Sequence, residues 1–353
     1  MISKPFKLGL IVRGDDTGLG NQTRNLCYML KPDRVLYINS KPFNGNGQHY
    51  DWYEGFTGIT SLGFPDNNTV RKFLNGLTHV ITAETCYSYE LIRLANASGI
   101  KTFNVVNYEF CDHLRQSLPM PYKWLMPSYW KNEEMANKFE NVEYLPPPIF
   151  TNDFKEAREI NFGRSGGYRR FVHIVGKQAE HDRNGTEDLL RALEYCQSEF
   201  ELVIKSQYPI PYQINDRRVL FDIGNKSGEK LSDLYKDFDA LIMPRRYGGL
   251  CLPMNEALCS GLPVIMTDIS PNNQVLPKEW LVEAKVKMQF MTRTMIDCYM
   301  SNLEDLAERI DQFATMAEGA LDEQKQKAFE IGFDNYDVDS LREKYKGVLE
   351  DER

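Results

Sequence analysis

The chain has no long hydrophobic run. Nowhere in its 353 residues is there a segment near the ~20 apolar residues that cross a bilayer. The apolar patch of the first ten residues is cut short by Gly14-Asp15-Asp16, too soon for a secretory signal core. Seven cysteines are scattered at 27, 86, 111, 196, 251, 259 and 298, with no Cys-x-x-Cys pair. Neither a disulfide framework nor a zinc site is indicated. No acidic pair reads as an Asp-x-Asp donor-metal motif, and there is no short repeat or low-complexity tract. Basic excess is absent too. A net charge of -8 excludes a general nucleic-acid coat. Together these absences predict a protein of a reducing cytoplasm without stable membrane association.

The charge that is present is uneven. Residues 1–150 carry 15 Lys/Arg against 14 Asp/Glu, leaving 27 against 36 for the rest. The first fifty hold seven basic residues and three acidic ones. With 42% hydrophobic residues the chain can build sizeable cores, and its length suggests two domains.

Short apolar runs alternate with helix-length stretches. Strands are predicted at Lys7–Val12, Val35–Ile38, His79–Thr82, Thr102–Val106 and Trp124–Met126, with helices at Tyr87–Ala97 and Trp130–Phe139. Pro146-Pro147-Pro148 and the polar tract 152–168 then interrupt the pattern and mark the best domain boundary. A second series places strands at Phe171–Val175, Glu201–Ile204, Val219–Ile223, Ala240–Met243 and Val264–Thr267. Its helices are expected at Thr186–Glu194, Lys230–Phe238 and Met254–Cys259. This is an α/β pattern of two consecutive doubly wound parallel sheets. Residues 41–76 read as an ordered surface insertion, and Asp337–Glu350 as a charged helix.

The most informative segment runs from Pro244 to Val264, PRRYGGLCLPMNEALCSGLPV. A strand ends at Pro244, Gly248-Gly249 lets the backbone approach a ligand, and Pro253 suits a first helical turn. Free N–H groups at such a helix start attract phosphate. Glu256, about one turn inside, could bind a ribose hydroxyl. A tight turn followed by a solvated glutamate accounts for the same residues.

Leu252-Pro253, Glu256-Ala257 and Gly261-Leu262-Pro263-Val264 resemble the nucleotide-sugar signature of retaining GT-B glycosyltransferases, particularly glycosyltransferase family 4. The resemblance implies two Rossmann-like domains facing across a cleft. The first would be 1–149, joined by the C-terminal helix 337–353; the donor-binding domain would be 150–336. Glu256 takes the place of the glutamate that holds the donor ribose. The family's other glutamate would fall at Gly248 and is missing, so Arg245, Arg246 or Tyr247 is a candidate substitute. Lys177 and Arg183 are similar to the two cations that neutralise the departing diphosphate. Tyr247, Gly248, Gly249, Leu250, Cys251 and Leu252 complete the implied donor loop.

In the first half, Gly14-Asp15-Asp16-Thr17-Gly18-Leu19-Gly20 follows a strand and opens a helix, where glycine-rich turns approach phosphates. It is a poor dinucleotide fingerprint, because Thr23 stands where a glycine or alanine is wanted. It resembles the glycine-rich loop of GT-B enzymes, with Gly18 and Gly20 at the donor. Asp16 and Glu109 are candidates to orient or deprotonate an acceptor hydroxyl. His79 reads as structural, while His113 and His181 fall in polar loops.

The implied activity is hexosyl or pentosyl transfer from a nucleoside diphosphate sugar, UDP-sugar favoured, to an acceptor hydroxyl. No cofactor or bound metal is expected. The abbreviated motif is similar to phage-encoded enzymes acting on hydroxymethylated DNA in a host cytoplasm, and the basic first fifty residues suit that polyanion. A protein or glycan acceptor is the alternative. A non-catalytic nucleotide-sugar-binding protein is another.

Overall fold

The computed structural model describes residues 5–44, 48–82, 86–176, 180–212, 214–224 and 230–351. The chain divides into two units: Met1–Pro148 with Val338–Arg353, and Ile149–Asp337.

The first unit holds β1 (Leu8–Arg13), β2 (Arg34–Asn39), β3 (Gly58–Leu62), β4 (His79–Thr82), β5 (Lys101–Val105), β6 (Lys123–Met126) and β7 (Val142–Tyr144). They form one sheet in the order β3-β2-β1-β4-β5-β6-β7, and every pair is parallel. Between them run α1 (Gly18–Leu30), α2 (Lys41–Asn44), α3 (Asn67–Leu74), α4 (Tyr89–Ala97) and α5 (Asn132–Lys138). The central strand β1 is buried along nearly its whole length, as expected of a parallel strand covered on both faces.

The second unit holds β8 (Arg169–Gly176), β9 (Phe200–Ser206), β10 (Val219–Ile223), β11 (Ala240–Met243), β12 (Val264–Thr267) and β13 (Leu281–Val282). Their order, β10-β9-β8-β11-β12-β13, is the Rossmann order, which gathers ligands at the carboxyl ends of the strands. Helices α6 (Lys155–Gly163), α7 (Thr186–Ala192), α8 (Leu252–Cys259), α9 (Leu303–Ala314) and α10 (Glu318–Tyr336) belong here. Gly332 lets α10 lie against α8: a Cβ there would come within 2.7 Å of the Cys259 nitrogen. The last helix, α11 (Val338–Glu350), belongs to the first unit, where the buried Tyr345 donates to the Pro146 carbonyl at 3.1 Å.

Several stretches differ from the sequence expectation, among them α9 and α10, which it does not include. Residues 41–76 contribute an edge strand, β3, and a helix, α3, to the fold proper. The polar tract 152–168 carries α6, whose buried residues are only Ala157 and Asn161, too few to show periodicity. The helix expected at 230–238 is a 3₁₀ turn, Leu231–Tyr235. An antiparallel hairpin, β14 (Ala284–Met291) and β15 (Met295–Ser301), stands apart from both parallel sheets.

Candidate functional site

In the second unit the candidate residues collect at the carboxyl ends of β8 and β11. The turn after β8 needs Gly185 (φ +73°), because a Cβ there would meet the Pro244 carbonyl oxygen at 2.0 Å. Asp182 caps α7 by accepting from the amides of Thr186 at 3.1 Å and Glu187 at 2.8 Å. Burial nevertheless pushes its carboxyl above the ordinary range, the amides and Arg246 opposing. Arg183 lies with its guanidinium 4.9 Å from the centre of the Tyr247 ring, within cation–π range. Its carbonyl accepts from the Arg246 amide at 2.8 Å. Lys177 lies outside the described residues.

The two arginines offered as substitutes for the missing glutamate are engaged in structure. Arg245 is buried and donates to the carbonyls of Tyr247 at 2.9 Å and Leu250 at 2.8 Å, stapling the loop. Arg246, also buried, binds Asp188 and Glu187 and lies 3.8 Å from Asp182. Gly248 has φ +102°, and a Cβ there would lie 2.8 Å from Arg245 Nη2. A glutamate at 248 would therefore meet both backbone strain and an occupied space.

Tyr247 and Gly248 are buried, Gly249, Leu250 and Leu252 half-buried, and Cys251 buried, its thiol 3.5 Å from the Met243 sulfur. Helix α8 starts at Leu252, with Pro253 in its first turn. Glu256 is buried, and its Oε2 accepts from the Tyr235 hydroxyl at 2.5 Å. Burial and this carboxylate push the Tyr235 hydroxyl well above its ordinary range. Tyr235 escaped the sequence reading because a 3₁₀ turn 21 residues away gives no local signal.

In the first unit, Asp15 is fully buried and bound by Arg13 Nε at 2.8 Å and Nη2 at 2.5 Å, with Ser40 and Thr17. Burial raises its carboxyl, but the Arg13 charge and these hydrogen bonds outweigh that and hold it below the ordinary range. Gly20 is required by packing, since a Cβ would meet the Asp15 carbonyl at 2.0 Å. Gly18 begins α1, whose cap Thr17 accepts from the Gly20 amide. Asp16 is over a third exposed and pairs with His49 Nε2 at 2.6 Å. The His49 ring stacks on Trp52 at 4.5 Å, and Arg24 sits over the same Trp52. His49 was not singled out from sequence. Glu109 is buried in a 3₁₀ turn after β5, separated from the Asp16 turn by β4 in the sheet order. His113, expected in a polar loop, is buried with Nε2 2.9 Å from the Pro119 carbonyl.

Comparison with solved structures decides the fold. HepE of Anabaena, in complex with UDP and glucose, matches with TM-score 0.66 at 11% identity, over 98% of this chain and 99% of that one. Sucrose-phosphate synthase from Thermosynechococcus elongatus matches with TM-score 0.66 at 14% identity, over 97% and 98%. The lipopolysaccharide outer core galactosyltransferase WaaB, in apo form, matches with TM-score 0.62 at 12% identity, over 98% and 99%. The fold is GT-B.

Residues 207–330 of this GT-B chain match the family model "Glycosyl transferases group 1". That segment contains the 244–256 loop and Tyr235 but not Arg183. The sequence matches no curated protein. Among the described residues, no group of three or more His, Cys, Asp or Glu could hold a metal ion. The two Asp-x-Asp triplets that do occur serve the fold. In Asp237-Phe238-Asp239, Asp239 meets the buried Lys325 at 3.0 Å and Asp237 meets Arg164 at 2.6 Å. In Asp337-Val338-Asp339, Asp337 accepts from Thr151 at 2.5 Å. No helix among the described residues is long and apolar enough to cross a membrane. Of the seven basic residues in the first fifty, Lys7 pairs with Asp33 and Arg13 with Asp15. Arg34 donates to the carbonyls that end α3, and Arg24 covers Trp52.

Proposed function

We propose that this protein transfers a sugar from a nucleoside diphosphate sugar to an acceptor hydroxyl. The observation that carries the reading is the loop from β11 to α8. It lies within the group 1 family match, is stapled by Arg245, and ends in a helix whose buried Glu256 is oriented by Tyr235. Glu256 would hold the ribose, and the backbone from Gly249 to Leu252 would receive phosphate. Arg183, with Lys177, would stabilise the charge that grows on the diphosphate as the glycosidic bond breaks.

The finer features are part of the same proposal. UDP is the favoured nucleotide, supported by the HepE complexes with UDP and UDP-glucose. Retention of configuration and independence from metal follow the family resemblance. On the acceptor side Asp16, paired with His49, is better placed than the buried Glu109 to meet a hydroxyl. A DNA acceptor rests on the basic surplus of the first fifty residues, four of whose seven cations already have the partners described above.

A thermal-shift screen against UDP-, GDP-, ADP- and dTDP-sugars tests the reading, with NAD and NADP as controls. A shift from one sugar nucleotide, followed by its turnover to free nucleoside diphosphate, is the expected result. A shift from NAD or NADP alone overturns it. Tight donor binding without turnover in the presence of acceptors establishes a binding module instead.

A further inference from the structure

In the hairpin, β15 buries Ile296, Cys298 and Ser301, whereas β14 is largely exposed and buries only Phe290. That one ring sits 4.4 Å from the His181 ring and 4.9 Å from the Tyr247 ring, which it meets edge-on at 72°. His181 directly precedes Asp182 and Arg183, and Tyr247 carries the Arg183 guanidinium on its face. Phe290 thus touches both the chain leading into Arg183 and the platform beneath it. The hairpin is sewn to the same region through its backbone. The Tyr299 amide donates to the Arg246 carbonyl at 2.9 Å, and the Ser301 amide to Asp188 at 3.1 Å.

The turn held this way is strained. His181 and Asp182 are consecutive non-glycine residues with φ of +54° and +50°, a left-handed conformation that persists only where surrounding contacts impose it. Asp182 is imposed by the cap it gives α7 and by Arg246; His181 by the Arg246 bond to its carbonyl at 3.4 Å and by Phe290. From this we infer that the β14–β15 hairpin is a positioning element of the donor site, with Phe290 fixing Arg183 toward the diphosphate of a nucleoside diphosphate. The inference rests on the donor-site reading above.

Equilibrium titration of the full chain with UDP and with uridine tests it, since uridine carries no diphosphate for Arg183 to meet. Phe290→Ala weakens UDP about tenfold, the scale of a lost cation–π arrangement, and uridine by less than twofold. Phe290→Tyr restores UDP binding. In an Arg183→Ala background, Phe290→Ala has no further effect, because the two residues act through one interaction. Unchanged UDP affinity in Phe290→Ala overturns the inference. So does equal weakening of UDP and uridine, which marks simple loss of packing, or additivity of the two substitutions. A wild-type chain that binds none of UDP, GDP, ADP and dTDP overturns the donor-site reading itself, and this inference with it.

Discussion

In the turn after β1 the buried carboxylate, Asp15, is met by Arg13 from the strand just before it. In the turn after β8 the buried Asp182, and Asp188 in the first turn of α7, are met instead by Arg246, which arrives from beyond the end of β11. The charge of the first turn is neutralised within its own sequence neighbourhood, with Ser40 and His49 adding hydrogen bonds from farther along the chain. The second is completed by another strand and by a hairpin, and its own arginine, Arg183, lies against an aromatic face. Local neutralisation makes a rigid scaffold. Neutralisation from a distance leaves the turn's shape dependent on elements that can be altered separately, which suits a site that must recognise a charged ligand.

The largest effect comes from breaking the neutralisation itself. Arg13→Ala and Arg246→Ala each strand a buried carboxylate and are expected to cost about 3–5 kcal/mol, read by denaturant unfolding of the whole chain. If Arg246→Ala proves much milder than Arg13→Ala, the second turn draws on other support and the parallel fails. Next comes Arg183→Ala. Turnover is expected to fall about 100-fold, the scale of one lost charge-stabilising group, with the melting temperature unchanged. A fall in melting temperature to match Arg13→Ala would make Arg183 structural as well. Tyr235→Phe removes one hydrogen bond to Glu256, worth about 1 kcal/mol. It should raise the donor KM several-fold while kcat stays near the wild-type value.

The smallest effect is on the acid limb, where the two turns have opposite signs. The Asp15 carboxyl is held below its ordinary value of 3.8. It contributes stability that is full above that value and lost as pH falls through the lower folded value. Asp182 is raised above 3.8, so the native state binds that proton more tightly, and its contribution is full below 3.8 and declines as pH rises through the higher folded value. Asp15→Asn should therefore flatten the acid limb of an unfolding-versus-pH curve, and Asp182→Asn should steepen it. Identical changes in both variants would dissolve the contrast.

The sheets were legible because strands such as β1, β8 and β11 are short apolar runs buried on both faces, separated by helix-length stretches. The α8 loop was legible from its glycines, proline and glutamate. What escaped was held together across the sequence. Phe290 lies over a hundred residues from Arg183, in a hairpin whose Thr292-Arg293-Thr294 link carries none of the usual turn residues. Arg245 and Arg246 looked like ligand-facing cations because composition cannot show that carbonyls and carboxylates already surround them. The glycine at 248 appeared to be a lost glutamate; its φ and the Arg245 guanidinium show why no larger side chain fits.

Helix α11 completes the first unit although the whole second unit precedes it in the chain. The second unit is one continuous stretch, whereas the sheet built from residues 8–144 keeps a face waiting for Tyr345 and the Asp351 that meets Lys123. During synthesis the usual order, amino-terminal domain first, is thereby reversed. The second unit can finish folding while the first is still held open, and α11 then closes it.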